Sequence, residues 1–163
     1  MPLIAEGQSL SLEQLSGLLP HQGDMCLLAS VESWDQKNIH CRVISHRSGQ
    51  NPLRHCGRLD AHTAVEYAGQ AMAVHGSLLQ LVANSESTDH FTPPAGYLVG
   101  VNHFVAHCQD LSKVEEDIDL YCEQLIADSN GQVYQFEMRA QDVIKASGRV
   151  TVMLDSGQAS PLT

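Results

Sequence analysis

The sequence predicts an α+β fold in which a curved antiparallel sheet wraps one long helix. Three observations lead there. Residues 61–82, AHTAVEYAGQAMAVHGSLLQLV, hold a single charged side chain, Glu66, whereas a helix on a protein surface carries several on its solvated face. The segments after that helix alternate apolar and polar residues, the period of half-buried strands. Asp128-Ser129-Asn130-Gly131 lies between two of those segments and is a strong hairpin signal.

Taken in order, Ser9–Leu19 suits a short helix with Ser11 as its cap, Glu13 and Gln14 in its first turn and Pro20 as its stop. Cys26–Ser33 and Asn38–Ile44 read as strands, rich in Leu, Val and Ile. A loop follows through Ser48-Gly49-Gln50-Asn51-Pro52, and Asp60 is placed to cap the long helix. Asn84–Ala95, with Pro93-Pro94, reads as a polar loop. Strands are expected at Tyr97–Cys108, Ile118–Ala127, Val133–Gln141 and Ala146–Leu154. One helix can be nearly all apolar when such a sheet curls around it. That arrangement is the hot-dog fold, here expected as a single domain over residues 1–154 with a frayed polar tail at 155–163.

Composition narrows the partners. The net charge of −10 argues against nucleic acid. Gln36–Leu59 runs against it, with Lys37, Arg42, Arg47, Arg54 and Arg58 and no acidic residue, so this segment is +5 and the remainder −15. A local basic patch on an acidic protein can steer an anionic ligand or an acidic partner. The five cysteines form no CxxC pair and suit free thiols in a reducing cytoplasm. No apolar run reaches membrane-spanning length, and Met1–Gln8 lacks the pattern of a signal peptide.

On a helical wheel Gln70 lies about 40° and Ser77 about 20° from Glu66, with His62 and Gln80 about 40° to the other side. A carboxylate on so apolar a helix is a candidate for chemistry. Two plainer readings stand beside this one. The stripe can simply face water, or Thr63-x-x-Glu66 can be a capping box at a later helix start. His55, between Arg54 and Cys56, could share proton abstraction and donation with Glu66 on one thioester. His62 is the alternative. His103, His107 and Cys108 are spaced too widely along a strand to form a metal site, and no metal or cofactor is expected.

These residues resemble a known family. Leu18-Leu19-Pro20-His21-Gln22-Gly23-Asp24-Met25-Cys26-Leu27-Leu28 is similar to the opening of the hot-dog 3-hydroxyacyl-(acyl-carrier-protein) dehydratases. Val65-Glu66-Tyr67-Ala68-Gly69-Gln70-Ala71-Met72-Ala73 resembles their central-helix signature, and Asn51-Pro52-Leu53 leading to Gly57-Arg58-Leu59 looks like the aryl-polyene biosynthesis branch. The resemblance implies removal of water from a 3-hydroxyacyl thioester on phosphopantetheine, giving a 2-enoyl thioester. It implies Glu66 as the acid, Gln70 as its orienting partner, and a loop histidine as base. It implies an acyl carrier protein as partner and a dimer, either of two copies or with a sister hot-dog subunit. The basic segment independently offers Arg47, Arg54 and Arg58 as the docking surface for that acidic partner. It also implies an acyl tunnel whose depth depends on side chains such as Met72, Leu78 and Phe104.

One departure is clear. The family's Gly-His-Phe-Pro loop is missing, and its nearest counterpart, Ser48–Leu53, has Asn51-Pro52 where the histidine is expected. His55 ranks before His62 as a substitute, because its loop can reach across. The departure leaves two rivals to the dehydratase. One is a hot-dog thioesterase working with the helix carboxylate alone, and the other is a non-catalytic or half-site subunit of a heterodimer.

Overall fold

A computed structural model describes residues 4–19, 23–84, 91–93 and 96–155. The chain begins with a two-residue strand, β1 (Leu10–Ser11), followed by a one-turn helix, α1 (Leu12–Ser16). Ser11 caps α1 in a reciprocal capping box with Gln14. The helix is shorter than the expected Ser9–Leu19, because Leu10 and Ser11 join the sheet. Pro20, its expected stop, lies outside the described residues.

Strands β2 (Ser30–Trp34) and β3 (Asn38–Val43) form the first full hairpin. Cys26–Leu28, expected to open the first strand, stays off the ladder, and Ala29 N–H makes the first bond to β3, to Arg42 O at 2.9 Å. The amide of Leu27 donates to the Gln70 side chain instead, at 2.8 Å.

Asp60 accepts from the backbone N–H of His62 at 2.9 Å and caps a 3-10 turn, Ala61–Thr63. The turn runs into the central helix, α2 (Ala64–Asn84). Thr63 donates its hydroxyl back to Asp60 O at 2.6 Å, so a Thr63–Glu66 capping box does not form.

Four strands follow: β4 (Gly96–Ala106), β5 (Ile118–Ala127), β6 (Gly131–Ala140) and β7 (Val143–Leu154). The Asp128 carboxylate accepts from the N–H groups of Asn130 and Gly131 and closes the β5–β6 hairpin. The β6–β7 hairpin turns on Gln141 and Asp142, both at positive φ, 50° and 64°. That is a two-residue primed turn without the Asn-Gly or Asp-Gly that usually announces one.

The sheet is antiparallel throughout, in the order β1-β2-β3-β5-β6-β7-β4. Alternation along its strands turns Ile39, Cys41, Leu120, Phe136, Met138 and Val150 toward α2, where all are buried. Among the described residues β4 pairs only with β7, and its other edge is open. Tyr97, Leu98, Val99, Val101 and Val105 are exposed on it. No described helix is long and apolar enough to cross a membrane, and all five cysteines are free.

Candidate active site

Helix α2 has two unlike sides. At about 100° per residue, Glu66, Gly69, Ala73, Gly76 and Gln80 fall within an arc of about 80°. They form the helix wall of a groove of about 510 Å³. Opposite them stand Gly96, Tyr97 and Leu98 of β4, Gln132 of β6, and Val152 and Leu154 of β7. Glu66 is exposed at one end of this wall, and among the described residues its carboxylate makes no hydrogen bond or ion pair. Met72 lines the groove as well, whereas Leu78 is buried in the core and Phe104 packs against His62.

The other side of α2 is closed, and its polar groups are occupied. Gln70, expected to orient Glu66, is 1% exposed. Its Oε1 accepts from Leu27 N at 2.8 Å and its Nε2 donates to Met25 O at 2.5 Å. It pins the segment before β2 to the helix, and Glu66 is not among its partners. Ser77 is buried too, donating to Leu18 O at 3.2 Å. The polar stripe read from the sequence is therefore split: Glu66 and Gln80 face the groove, Ser77 faces the closed side, and Gln70 stands at the boundary, bordering the groove with its amide turned into the fold.

Asn51, where the resemblance expects a histidine, is locked into the loop before α2. Its Nδ2 donates to Ser45 O and to the Tyr67 hydroxyl, each at 2.9 Å. Its Oδ1 accepts from Leu53 N at 2.9 Å. Ser45 spends its proton on Leu27 O at 2.7 Å, so Tyr67 donates to Ser45 Oγ at 2.8 Å. Burial pushes the Tyr67 hydroxyl above its ordinary range, which keeps it a neutral donor. The loop is thus fixed by amide and hydroxyl groups where the resemblance looks for a base.

The histidines separate clearly. His55 sits on an exposed two-residue turn, His55 to Arg58, with Cys56 and Gly57 at φ 51° and 73°. It does not line the groove, and no side-chain contact fixes its ring among the described residues. His62 is held by Asp60, Nδ1 to Oδ1 at 2.5 Å, and stacks on Phe104 at 5.0 Å. It stands outside the groove lining too. His46, which the sequence did not single out, is fully buried, and its Nε2 donates to Val114 O and Glu116 O, each at 3.1 Å. Burial, and then the Arg47 charge, hold its pKa below the usual imidazole value.

The arginines do not act as one patch. Arg47 bonds Glu115 O and the Asp117 carboxylate, each at 2.5 Å. Arg54 turns inward onto the carbonyls of Arg47, Gly57 and His46. Arg58 is exposed, with a long 3.5 Å contact to Gln109 O, and it flanks a second surface cavity with Lys113.

Residues 13–162 match the sequence profile described as ApeP-like, the ApeP dehydratase. The chain belongs to the ApeP-like dehydratase family. As a member it is a dehydratase, a lyase, of the aryl-polyene branch the sequence resembles. No functionally curated protein matches the sequence.

Solved structures share the hot-dog fold. The dehydratase heterocomplex ApeI:P from Xenorhabdus doucetiae is 21% identical, with a TM-score of 0.74, over 87% of this chain and 91% of that one. A thioesterase from Haemophilus influenzae is 14% identical, with a TM-score of 0.60, over 98% and 100%. An HP0420 homologue from Helicobacter felis is 12% identical, with a TM-score of 0.56, over 91% and 92%. Dehydratases and thioesterases are both built on this frame, so the frame by itself does not choose between them.

The small residues at 69, 73 and 76 share one helical face, the local signal by which the groove could have been found. The Asn51–Tyr67–Ser45 chain has no such signal, since it joins residues from three separate segments.

Proposed function

We propose that this dehydratase acts on a 3-hydroxyacyl thioester carried by an acyl carrier protein, and that Glu66 is its acid. The chain is then a half-site, and the base comes from a second hot-dog subunit seated on the open edge of β4. One observation carries this reading: Glu66, the single charge on α2, has no partner among the described residues and stands at the end of an apolar groove beside that edge. The loop where the resemblance expects a histidine offers Asn51, which is fully engaged.

In the reaction a base removes a proton from C2 of the thioester. The electron pair forms the C2=C3 bond, and the C3 hydroxyl leaves as water with the proton of the Glu66 carboxylic acid. Solvent then returns the proton from the base to the carboxylate.

The partner argument rests on β4. An eleven-residue edge strand with exposed Tyr97, Val99, Val101 and Val105 invites strand pairing, and closing it buries those side chains. The ApeI:P structure is a heterocomplex, which favours a sister subunit over a second copy. Arg58 is the proposed contact for the acidic carrier protein, because Arg47 and Arg54 are engaged within the chain.

The test is to purify the chain from its source cells with the subunit that accompanies it, then incubate it with a 3-hydroxyacyl carrier protein. Mass spectrometry should show loss of one water in the wild type and none in Glu66→Gln. Release of free carrier thiol would establish a thioesterase instead. An unchanged acyl carrier protein would overturn the dehydration of this substrate.

A further inference from the structure

We propose that Gln132 reads the far end of the acyl chain, so that the groove selects thioesters ending in a hydrogen-bonding group over those ending in a methyl. The inference rests on the dehydratase reading of the same groove and names the feature of its substrate that this chain recognises.

The groove has a direction. It starts at Glu66 and passes Gly69, Ala73 and Gly76 toward Gln80. With a rise of about 1.5 Å per residue, Gly76 lies about 15 Å from Glu66 along the helix. Between the two ends the walls are apolar, formed by Met72, Leu98, Val152 and Leu154. The helix side is bare: a Cβ built on Gly69 meets nothing within 4 Å. A Cβ built on Gly76 meets only the Oε1 and Nε2 atoms of Gln132, both at 3.9 Å. The amide of Gln132 therefore lies against the helix at the end remote from the carboxylate.

That amide is well placed and unspent. Gln132 pairs through its backbone with Ala127 on one side and Val152 on the other, so its position is set by three strands. Gly131 before it makes the approach to β7 feasible, since a Cβ there would stand 2.7 Å from Val152 O. Among the described residues neither the Gln132 nor the Gln80 amide makes a hydrogen bond, and both line the groove. An acyl chain filling the groove displaces water from these amides. A methyl terminus leaves that loss uncompensated, whereas a hydroxyl, carbonyl or amide at the terminus restores a donor or acceptor. A site that hydrogen-bonds its ligand discriminates against the analogue lacking the group, because its own polar atoms are then left unpaired.

Two measurements on the complex as isolated separate this inference from the dehydratase reading. The first is calorimetric binding of two 2-enoyl pantetheine amides of equal length, one ending in a hydroxyl and one in a methyl. The second is turnover of the two matching 3-hydroxyacyl pantetheine thioesters. Wild type should bind the hydroxyl-terminated analogue about tenfold more tightly, the worth of one partly exposed hydrogen bond. The same preference should reside in KM rather than kcat, as expected for binding remote from the reacting bond.

Gln132→Leu should reverse the preference, weakening the hydroxyl-terminated ligand and strengthening the methyl-terminated one. A reversal cannot come from a misfolded variant, which would lose both ligands. Equal binding of the two analogues by wild type, or an unchanged ratio in Gln132→Leu, would overturn the inference. Preferential binding without loss of water from either thioester would leave the end-reading groove standing and overturn the dehydratase reading.

Discussion

The two sides of α2 use polar residues in opposite ways. Tyr67, Ser77 and His75 on the closed side, and Gln70 at its boundary with the groove, are buried, and each has hydrogen-bond partners in the chain. On the open side Glu66 and Gln80 have none among the described residues, and Gly69, Ala73 and Gly76 leave room between them. A buried polar group must find a partner within the fold or cost stability. A polar group with none, set along an apolar groove, is left for a ligand. The closed side therefore holds the structure, the open side carries the proposed chemistry, and substitutions on the two should have effects of different kinds.

The largest effect is expected on the open side. Glu66→Gln should reduce dehydration by about 10²–10⁴-fold, the range of a general acid. Because Glu66 is exposed, its unfolding free energy should stay within about 0.5 kcal/mol of wild type. A comparable loss of stability in a urea titration would place Glu66 with the closed side.

Next comes Gln70→Leu, which leaves the buried N–H of Leu27 and the carbonyl of Met25 without their partner. A loss of about 3 kcal/mol in urea unfolding is expected, from two unpaired backbone groups. Activity lost at full folding would show instead that Gln70 serves the reaction directly.

Tyr67→Phe should cost less, about 1–2 kcal/mol, by breaking the chain from Asn51 to Ser45. Hydrogen exchange should quicken more at Leu53, whose amide donates to Asn51, than in β5, where it rises only with the loss of global stability. An equal rise at both would mean that the chain does not fix the loop.

The smallest effect is one of pH. His75 donates from Nε2 to Asp35 O at 2.7 Å, and its Nδ1 accepts from Tyr134 at 2.6 Å. Burial lowers the pKa of His75, and burial and then Arg47 lower that of His46. The unfolded chain therefore takes up these protons first. Stability is full above the unfolded value, about 6.5, and is lost as pH falls below it. Urea midpoints measured from about pH 7.5 down to about pH 5.5 should fall. In a His46→Gln, His75→Gln double variant the slope should be shallower, and an equal slope would assign it to other groups.

Much of the fold was legible because its signals are local. Ile118–Ala127 was read to the residue, and the Asp128–Gly131 turn sits where its Asx chemistry puts it. The Gln141–Asp142 turn was missed because neither residue advertises positive φ as Asn-Gly does. In the candidate site, Glu66 stood out through the absence of other charges. Gln70 was assigned to the wrong neighbour, since the wheel gives its direction within about 40° but not what packs there. Met25 and Leu27, more than forty residues earlier, occupy that space. Arg47 looked like part of one basic patch because the carboxylate and carbonyl that engage it come from a distant loop. Arg54 did so because its own loop folds back to present carbonyls to it.

The most direct test of the division between the two sides is Gly69→Leu, with stability and dehydration rate measured on the same preparation. The position has open space for a side chain and lies in the middle of a helix. Replacing glycine there should stabilise the helix, by about 0.5–1 kcal/mol on helix propensity, while the side chain fills the groove. The account predicts an unfolding midpoint equal to or above wild type together with loss of dehydration. Full activity at an unchanged or raised midpoint would contradict it, because the acyl chain would then have to run elsewhere.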